Sequence, residues 1–188
     1  MRRPDRAARR TVSVFGSSEP GPGHPLYEEA RRLGSLLARA GCAVQCGGYG
    51  GVMEAASRGA REAEGHVIGV TVASFGGRTP NPYLVEEHRE ADLYSRTRRL
   101  IEDGDAFIIL PGRSGTLAEL TLLWALVRAG QMPGKPVALL GPEWPRFVDT
   151  LQSLDFLEPR LLSITRCARS PEEAVQWALS GLLHGDNL

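Results

Sequence analysis

The sequence alternates short apolar β-type runs with longer helical patterns along its whole length. This alternation is typical of parallel strands joined by helical crossovers. The predicted strands cover residues 11–15, 43–46, 66–72, 106–110 and 136–140. The predicted helices cover residues 26–40, 52–63, 93–102, 116–129, 147–153 and 171–183. We therefore predict an α/β fold, with a doubly wound parallel sheet and helices on both of its faces.

The chain length fits one domain, and the charge distribution separates a short tail from the body. A chain of 188 residues can bury roughly 70% of its unfolded surface without disulfides or metals. Five arginines and one aspartate fall within residues 1–10, which leaves 17 basic and 21 acidic residues in 11–188. We predict a disordered basic tail over 1–10 and one domain over 11–188. An amphipathic arm that binds nucleic acid or anionic lipid is the alternative for the tail, whereas the acidic body argues against a nucleic-acid-binding face.

The cysteines and the hydropathy pattern bear on metal sites and on location. Cys42, Cys46 and Cys167 form no CxxC pair, and no histidines accompany them at zinc-ligand intervals. No signal-peptide apolar region and no run of about 18 apolar residues is present. We expect a cytoplasmic protein with reduced thiols, no bound metal and no membrane association.

Three loops rich in Gly and Ser follow three of the predicted strands. They are Gly16-Ser17-Ser18, the segment 47–51 (GGYGG) and the segment 111–116 (PGRSGT). In an open parallel sheet such loops gather where the strand order reverses, and their free N–H groups can bind a phosphate. A glycine-rich turn can also be only a turn. Neither GxGxxG nor GxxxxGK[ST] occurs, which argues against a nicotinamide dehydrogenase and a P-loop NTPase.

Three segments in the same order resemble the Lonely Guy (LOG) family. Residues 105–119 (DAFIILPGRSGTLAE) resemble its PGGxGTxxE signature, and residues 14–18 and 47–55 match two upstream segments. The resemblance extends over about residues 11–155. It implies a Rossmann-like fold and, in most members, a dimer. It also implies hydrolysis of the N-glycosidic bond of a cytokinin riboside 5′-monophosphate or of AMP, without a cofactor.

The family was long labelled a group of lysine decarboxylases, and this sequence argues against that label. Pyridoxal phosphate enzymes need a lysine that forms a Schiff base. Lys135 is the only lysine of the chain, and its Pro-Gly-Lys-Pro context is typical of a solvated loop.

The resemblance also assigns candidate site residues. Arg96 falls on the arginine of a DMxxRK-type helix, and Glu119 on the glutamate of PGGxGTxxE; these two are the predicted catalytic pair. Without the resemblance, Arg96 would be read as a surface charge and Glu119 as a partner of the helix dipole. The predicted phosphate-binding residues are Gly112, Arg113, Ser114, Gly115 and Thr116. The predicted nucleoside-binding residues are Gly16, Ser17, Gly47, Gly48, Gly51 and Met53.

Three positions depart from the family pattern and support a competing hypothesis. Arg113 replaces the second glycine of PGG, Thr97 stands at a common lysine position, and Tyr94 at a common histidine position. These changes are consistent with a non-catalytic protein that binds or carries a nucleotide or a phosphorylated cofactor, as in the related molybdenum-cofactor carriers. For assembly we predict a homodimer through the apolar helix around Trp124.

Overall fold

The computed structural model describes residues 9–73 and 77–183. Most of the predicted basic tail therefore lies outside the described residues. The described part contains seven strands, all of them parallel to their neighbours. The strands are β1 Thr11–Phe15, β2 Ala43–Cys46, β3 Val67–Val72, β4 Glu86–Glu90, β5 Ala106–Ile109, β6 Val137–Leu140 and β7 Thr165–Ala168.

Seven helices accompany these strands within the described residues. They are α1 Pro25–Arg39, α2 Val52–Glu62, α3 Leu93–Asp103, α4 Ser114–Arg128, α5 Trp144–Ser153, α6 Pro159–Ile164 and α7 Pro171–Leu183. Helix α4 begins two residues earlier than predicted. Ser114 and Gly115 are consequently part of its first turn, together with Thr116, and not of the preceding loop.

The strand order is β4-β3-β2-β1-β5-β6-β7. The chain builds one half of the sheet outward from β1, returns to the centre, and builds the other half from β5. The order therefore reverses between β1 and β5, where a crevice opens at the carboxyl ends of the strands. This arrangement confirms the predicted Rossmann-like α/β fold.

Two apolar cores cover the two faces of the sheet. Helices α1, α2 and α7 pack with one core, which contains residues such as Leu33, Val52 and Ala174. Helices α3 to α6 pack with the other, which contains residues such as Leu100 and Leu123. The continuous burial of β3, β5 and β6 follows from this double cover.

Trp124 belongs to the second core and not to the protein surface. Only 4% of the residue is exposed, and its indole N–H donates to the hydroxyl of Thr165 at 3.0 Å. Much of the wide apolar face of α4 is thus explained by burial against the sheet. Any contact between subunits through α4 has to use its other side.

Three elements were not predicted from the sequence: β4, α6 and β7. Strand β4 has the sequence EEHRE and lies at the edge of the sheet, so no apolar pattern marks it. Strand β7, at the opposite edge, has only one fully buried side chain, that of Ala168. Edge strands have one strand neighbour and need less apolar surface, which is why hydropathy alone overlooked both.

Across the described ranges, no helix is long and apolar enough to cross a membrane. Within the same ranges, no group of three or more metal-ligating side chains could hold an ion.

Candidate active site

A cleft of about 230 Å³ lies at the carboxyl ends of β1 and β5. It is therefore in the crevice where ligands bind in open α/β sheets. The loop after β1 and the first two turns of α4 form its two sides. Its charged lining residues are Glu19, Arg78, Arg96, Arg113 and Glu119.

Arg96 reaches this cleft from the first turn of α3. The helix begins with a capping box in which the Asp92 carboxylate accepts from the Ser95 N–H at 2.8 Å, and the Ser95 hydroxyl accepts from the Asp92 N–H. Only 6% of Arg96 is exposed. Its Nε donates to the carbonyl of Val70 at 2.8 Å. A buried arginine held in this way presents its remaining N–H groups in a fixed direction.

The two predicted catalytic side chains lie side by side. Nη1 of Arg96 is 3.7 Å from Oε1 of Glu119. The guanidinium also lies 5.8 Å from the centre of the Tyr49 ring, close enough for a cation–π contact. The sequence positions are 23 residues apart, and α3 and α4 bring them together at the base of the cleft.

Glu119 is a buried carboxyl with altered acidity. Its side chain is 13% exposed and points into the cleft from the second turn of α4. Burial raises the pKa of Glu119 from its ordinary 4.5 to about 7, and the Arg96 guanidinium opposes this rise. The group therefore changes charge near neutral pH, where a catalytic carboxyl is most useful.

The predicted phosphate-binding residues divide into two groups. Arg113, Gly115 and Thr116 line the cleft, whereas Gly112 and Ser114 do not. A Cβ at Gly115 would meet no atom within 4 Å, so this part of the first turn of α4 is open to a ligand. A Cβ at Gly112 would lie 2.1 Å from the hydroxyl oxygen of Thr116, so the absence of a side chain there lets the turn close on α4.

The predicted nucleoside-binding residues divide similarly. Gly16, Ser17, Gly47 and Met53 line the cleft. Gly48 and Gly51 do not line it, and both have positive φ values, 78° and 72°. A Cβ at Gly51 would lie 2.2 Å from the carbonyl oxygen of Ser17. These two glycines therefore shape the backbone next to the cleft.

Several residues of the cleft lining were missed. Tyr49 lies within the GGYGG segment, and Glu19 follows Gly16-Ser17-Ser18 at once, so their neighbours on the chain could have indicated them. Arg78 and Leu93 had no such signal, because they approach from the loop after β3 and from the start of α3. The remaining missed lining residues are Val14, Phe15 and Ser18.

Lys135 lies away from the cleft. Its ammonium group donates to the carbonyls of Glu102 and Gly104 at 3.3 and 2.5 Å, at the C-terminal end of α3. The only lysine of the chain thus stabilises a helix end and cannot form a Schiff base in the cleft. The protein is not a lysine decarboxylase of the kind that the old family label describes.

Comparison with known proteins identifies the family. A model of the SLOG cluster4 family matches residues 9–155. The chain belongs to the SLOG cluster4 family. The matched stretch runs from the residues before β1 to just beyond α5, so it contains every charged residue of the cleft lining.

Curated relatives carry the name that the LOG resemblance implies. A probable cytokinin riboside 5′-monophosphate phosphoribohydrolase of Oryza sativa is 35% identical over 133 residues, which is 70% of this chain and 58% of that protein. The chain thus matches little more than half the length of this plant relative. A cytokinin riboside 5′-monophosphate phosphoribohydrolase of Rhodococcoides fascians is 32% identical over 136 residues, 70% of this chain and 67% of that protein.

A solved structure shares the fold. The molybdenum cofactor binding protein of Rippkaea orientalis superposes with a TM-score of 0.74 at 25% identity, covering 93% of this chain and 98% of that one. The chain therefore shares its fold with a protein named for binding a cofactor, whereas its curated sequence relatives are named as hydrolases. Which of the two this chain resembles in function depends on the residues of the cleft.

Proposed function

We propose that the protein hydrolyses the N-glycosidic bond of a nucleoside 5′-monophosphate to give the free base and ribose 5-phosphate. The observation that carries the proposal is the buried Arg96–Glu119 pair at the base of the cleft. The relatives named as cytokinin riboside 5′-monophosphate phosphoribohydrolases support it. We propose a cytokinin nucleotide or AMP as the substrate.

The chemistry of the reaction fits these two side chains. Breaking the C1′–N bond builds positive charge on the ribose, which a carboxylate beside C1′ stabilises. Glu119 is in a position to do this and to orient the attacking water. The water supplies a hydroxyl group to C1′ and a proton to the leaving base. Arg96 binds ribose or phosphate oxygens and keeps Glu119 ionised more readily than burial alone would allow.

The phosphate group of the substrate has a separate place in the proposed complex. The first turn of α4 contributes Gly115 and Thr116 to the cleft wall. A helix N-terminus offers free N–H groups and the positive end of the helix dipole, both of which favour a phosphate. Glu119 is three residues after Thr116 on the same helix, so binding the phosphate there would bring the ribose toward the carboxylate.

Mass spectrometry of a nucleotide mixture before and after incubation tests this proposal. We expect one or more nucleoside monophosphates to disappear, and a free base and ribose 5-phosphate to appear in equal amounts. The identity of the base gives the substrate in the same measurement. Purified protein that leaves every nucleotide intact would contradict the proposal.

The second candidate function is non-catalytic binding of a nucleotide or a phosphorylated cofactor. The fold shared with a molybdenum cofactor binding protein supports it, and so does Arg113 in place of a family glycine. In that case a ligand raises the melting temperature and is recovered unchanged. If Arg113→Gly gained hydrolytic activity, this would further support a non-catalytic function for the natural protein, which has Arg113.

We also propose that the protein works as a homodimer in the cytoplasm, where its three free thiols would stay reduced. An apolar groove of about 1150 Å³ lies between α3 and α4. It includes the exposed side chains of Leu93, Tyr94 and Leu122, of which 51%, 87% and 40% are accessible. Leu93 also lines the cleft, so a partner in this groove would adjoin the site. Trp124 is not part of this surface.

Leu122→Glu is expected to convert the dimer to a monomer. The substitution places a charge on the wall of the apolar groove, where a partner would have to desolvate it. Light scattering at micromolar concentration measures the mass of both proteins. Leu154→Glu is the control, because Leu154 is also exposed but lies after α5, outside the groove. A natural protein that is already monomeric at this concentration would contradict the proposed dimer.

A further inference from the structure

An ion pair lies across the mouth of the cleft. Nη1 of Arg113 is 3.0 Å from Oε1 of Glu19, and both side chains line the cleft. Arg113 is the N-cap residue of α4, and Glu19 lies in the loop between β1 and α1. The pair therefore connects the two sides of the cleft directly above the first turn of α4.

The loops that carry this pair are fixed at their bases. The N–H of Ser17 donates to the carbonyl of Pro111 at 3.0 Å, which joins the loop after β1 to the loop after β5. The N–H of Glu19 donates to the hydroxyl of Ser17 at 3.2 Å. The backbone thus holds the two charges near each other, while their side chains remain 79% and 57% exposed.

Such an exposed ion pair is weak and can be exchanged. Surface pairs of this kind contribute little to stability, because water and salt compete for both charges. A phosphate group offers Arg113 a stronger partner, since it accepts two parallel N–H bonds and carries up to two negative charges. A phosphate at the first turn of α4 would lie within reach of Arg113 and would compete with the Glu19 carboxylate for it.

We propose that Glu19 is the resident counter-ion of Arg113 and that the phosphate group of the ligand displaces it. This inference deepens the proposed function, because it assigns a residue that sets the affinity for phosphorylated ligands. The Glu19 carboxylate pairs with the Arg113 guanidinium when the cleft is empty. It is released to solvent when a phosphate binds. Neutral nucleosides cannot make this exchange, so the pair favours nucleotides over nucleosides.

The charges around the cleft are consistent with this assignment. Its charged lining residues are three arginines and two glutamates. At the base, Arg96 faces Glu119, and at the mouth, Arg113 faces Glu19. When the Glu19 carboxylate moves away from Arg113, the mouth of the cleft has a net positive charge. This charge favours the binding of a phosphate.

Calorimetric titration with ribose 5-phosphate tests the exchange, because this probe has the phosphate but no bond to a base. We expect Glu19→Gln to tighten binding roughly two- to fivefold, since the competing carboxylate is gone. We expect Arg113→Gln to weaken binding about tenfold. In the Glu19→Gln/Arg113→Gln double variant the gain should vanish, and affinity should equal that of Arg113→Gln. Adenosine, which has no phosphate, should bind all three variants as it binds the natural protein.

Glu172→Gln is the matched control. Glu172 also pairs with an arginine, Arg32, and is comparably exposed, but it lies on α7 outside the cleft. Glu172→Gln changes the net charge of the protein by the same amount as Glu19→Gln. It should leave the affinity for ribose 5-phosphate unchanged. Equal tightening in Glu19→Gln and Glu172→Gln would overturn the proposal, as would a Glu19→Gln gain that persists without Arg113.

The outcome is independent of whether the protein is a hydrolase. Ribose 5-phosphate binding can be measured in a protein that cleaves no nucleotide. If the natural protein is inactive but the variants bind ribose 5-phosphate with the expected affinities, only the proposed function is contradicted. Conversely, active protein in which Glu19→Gln leaves ribose 5-phosphate affinity unchanged would contradict only the role of Glu19. In active protein, Glu19→Gln should lower the KM for the nucleotide.

Discussion

Glu119→Gln is expected to reduce kcat for base release by about 10²- to 10⁴-fold, the range for loss of a catalytic acid or base. The amide has the shape of the carboxyl group but no negative charge, so it cannot stabilise the positive charge on the ribose. Nucleotide binding should persist, because the first turn of α4 and Arg113 are unchanged. Rates from single-turnover experiments and affinities from calorimetry separate the two effects.

The pH dependence gives a second measure of the same residue. The pKa of Glu119 is raised to about 7, and the carboxylate is the form that stabilises the transition state. The rate of the natural protein should therefore rise with pH through about 7 and level off above it. Residual activity of Glu119→Gln should lack this rise. Glu62→Gln, which removes a carboxylate of α2 outside the cleft, should keep both the rate and the profile. Unaltered kcat in Glu119→Gln would show that this carboxyl group is not catalytic.

Gly47→Ala is expected to reduce kcat/KM by about 10²-fold, the effect of misplacing a catalytic group by roughly 1 Å. A Cβ at Gly47 would lie 1.6 Å from Nη2 of Arg96 and 2.7 Å from Sδ of Met53. The guanidinium would have to leave its place beside Glu119. Because the atom displaced is the end of a long side chain, the protein should still fold. Activity assays and thermal melting distinguish loss of function from loss of structure.

Gly21→Ala is the appropriate comparison for this variant. Gly21 lies in the loop between β1 and α1, and its Cβ would meet no atom within 4 Å. The Gly21→Ala variant adds the same methyl group without a contact to Arg96, so it should retain full activity. Full activity in Gly47→Ala as well would mean that the reaction does not require Arg96 at its position beside Glu119.

The central part of the fold could be predicted because its strands are covered on both faces. Strands β3, β5 and β6 are buried along their whole length, so their sequences are nearly continuous apolar runs. Helix α6, with six residues, is too short for a periodic pattern to identify it. Local sequence patterns thus indicate the centre of the sheet better than its margins.

The candidate site was predictable to a similar extent. The Gly- and Ser-rich loops after β1 and β5 lie on the two sides of the cleft, as their positions after the strands indicated. Arg78 could not be predicted, because its approach to the cleft depends on the path of the chain after β3, which no local sequence pattern determines. The roles of Gly48 and Gly51 were also hidden, since the sequence does not separate glycines that contact a ligand from glycines that permit a turn.

The polar sequence of β4 limits how these molecules can associate. An outer strand exposes unpaired N–H and C=O groups, to which a strand of another molecule can add and so extend the sheet. The five residues of β4, Glu86 to Glu90, are all charged or histidine, and three of them are acidic. A second copy that paired with this edge would bring like charges together. Growth of the sheet into fibrils or stacked copies is therefore disfavoured at β4.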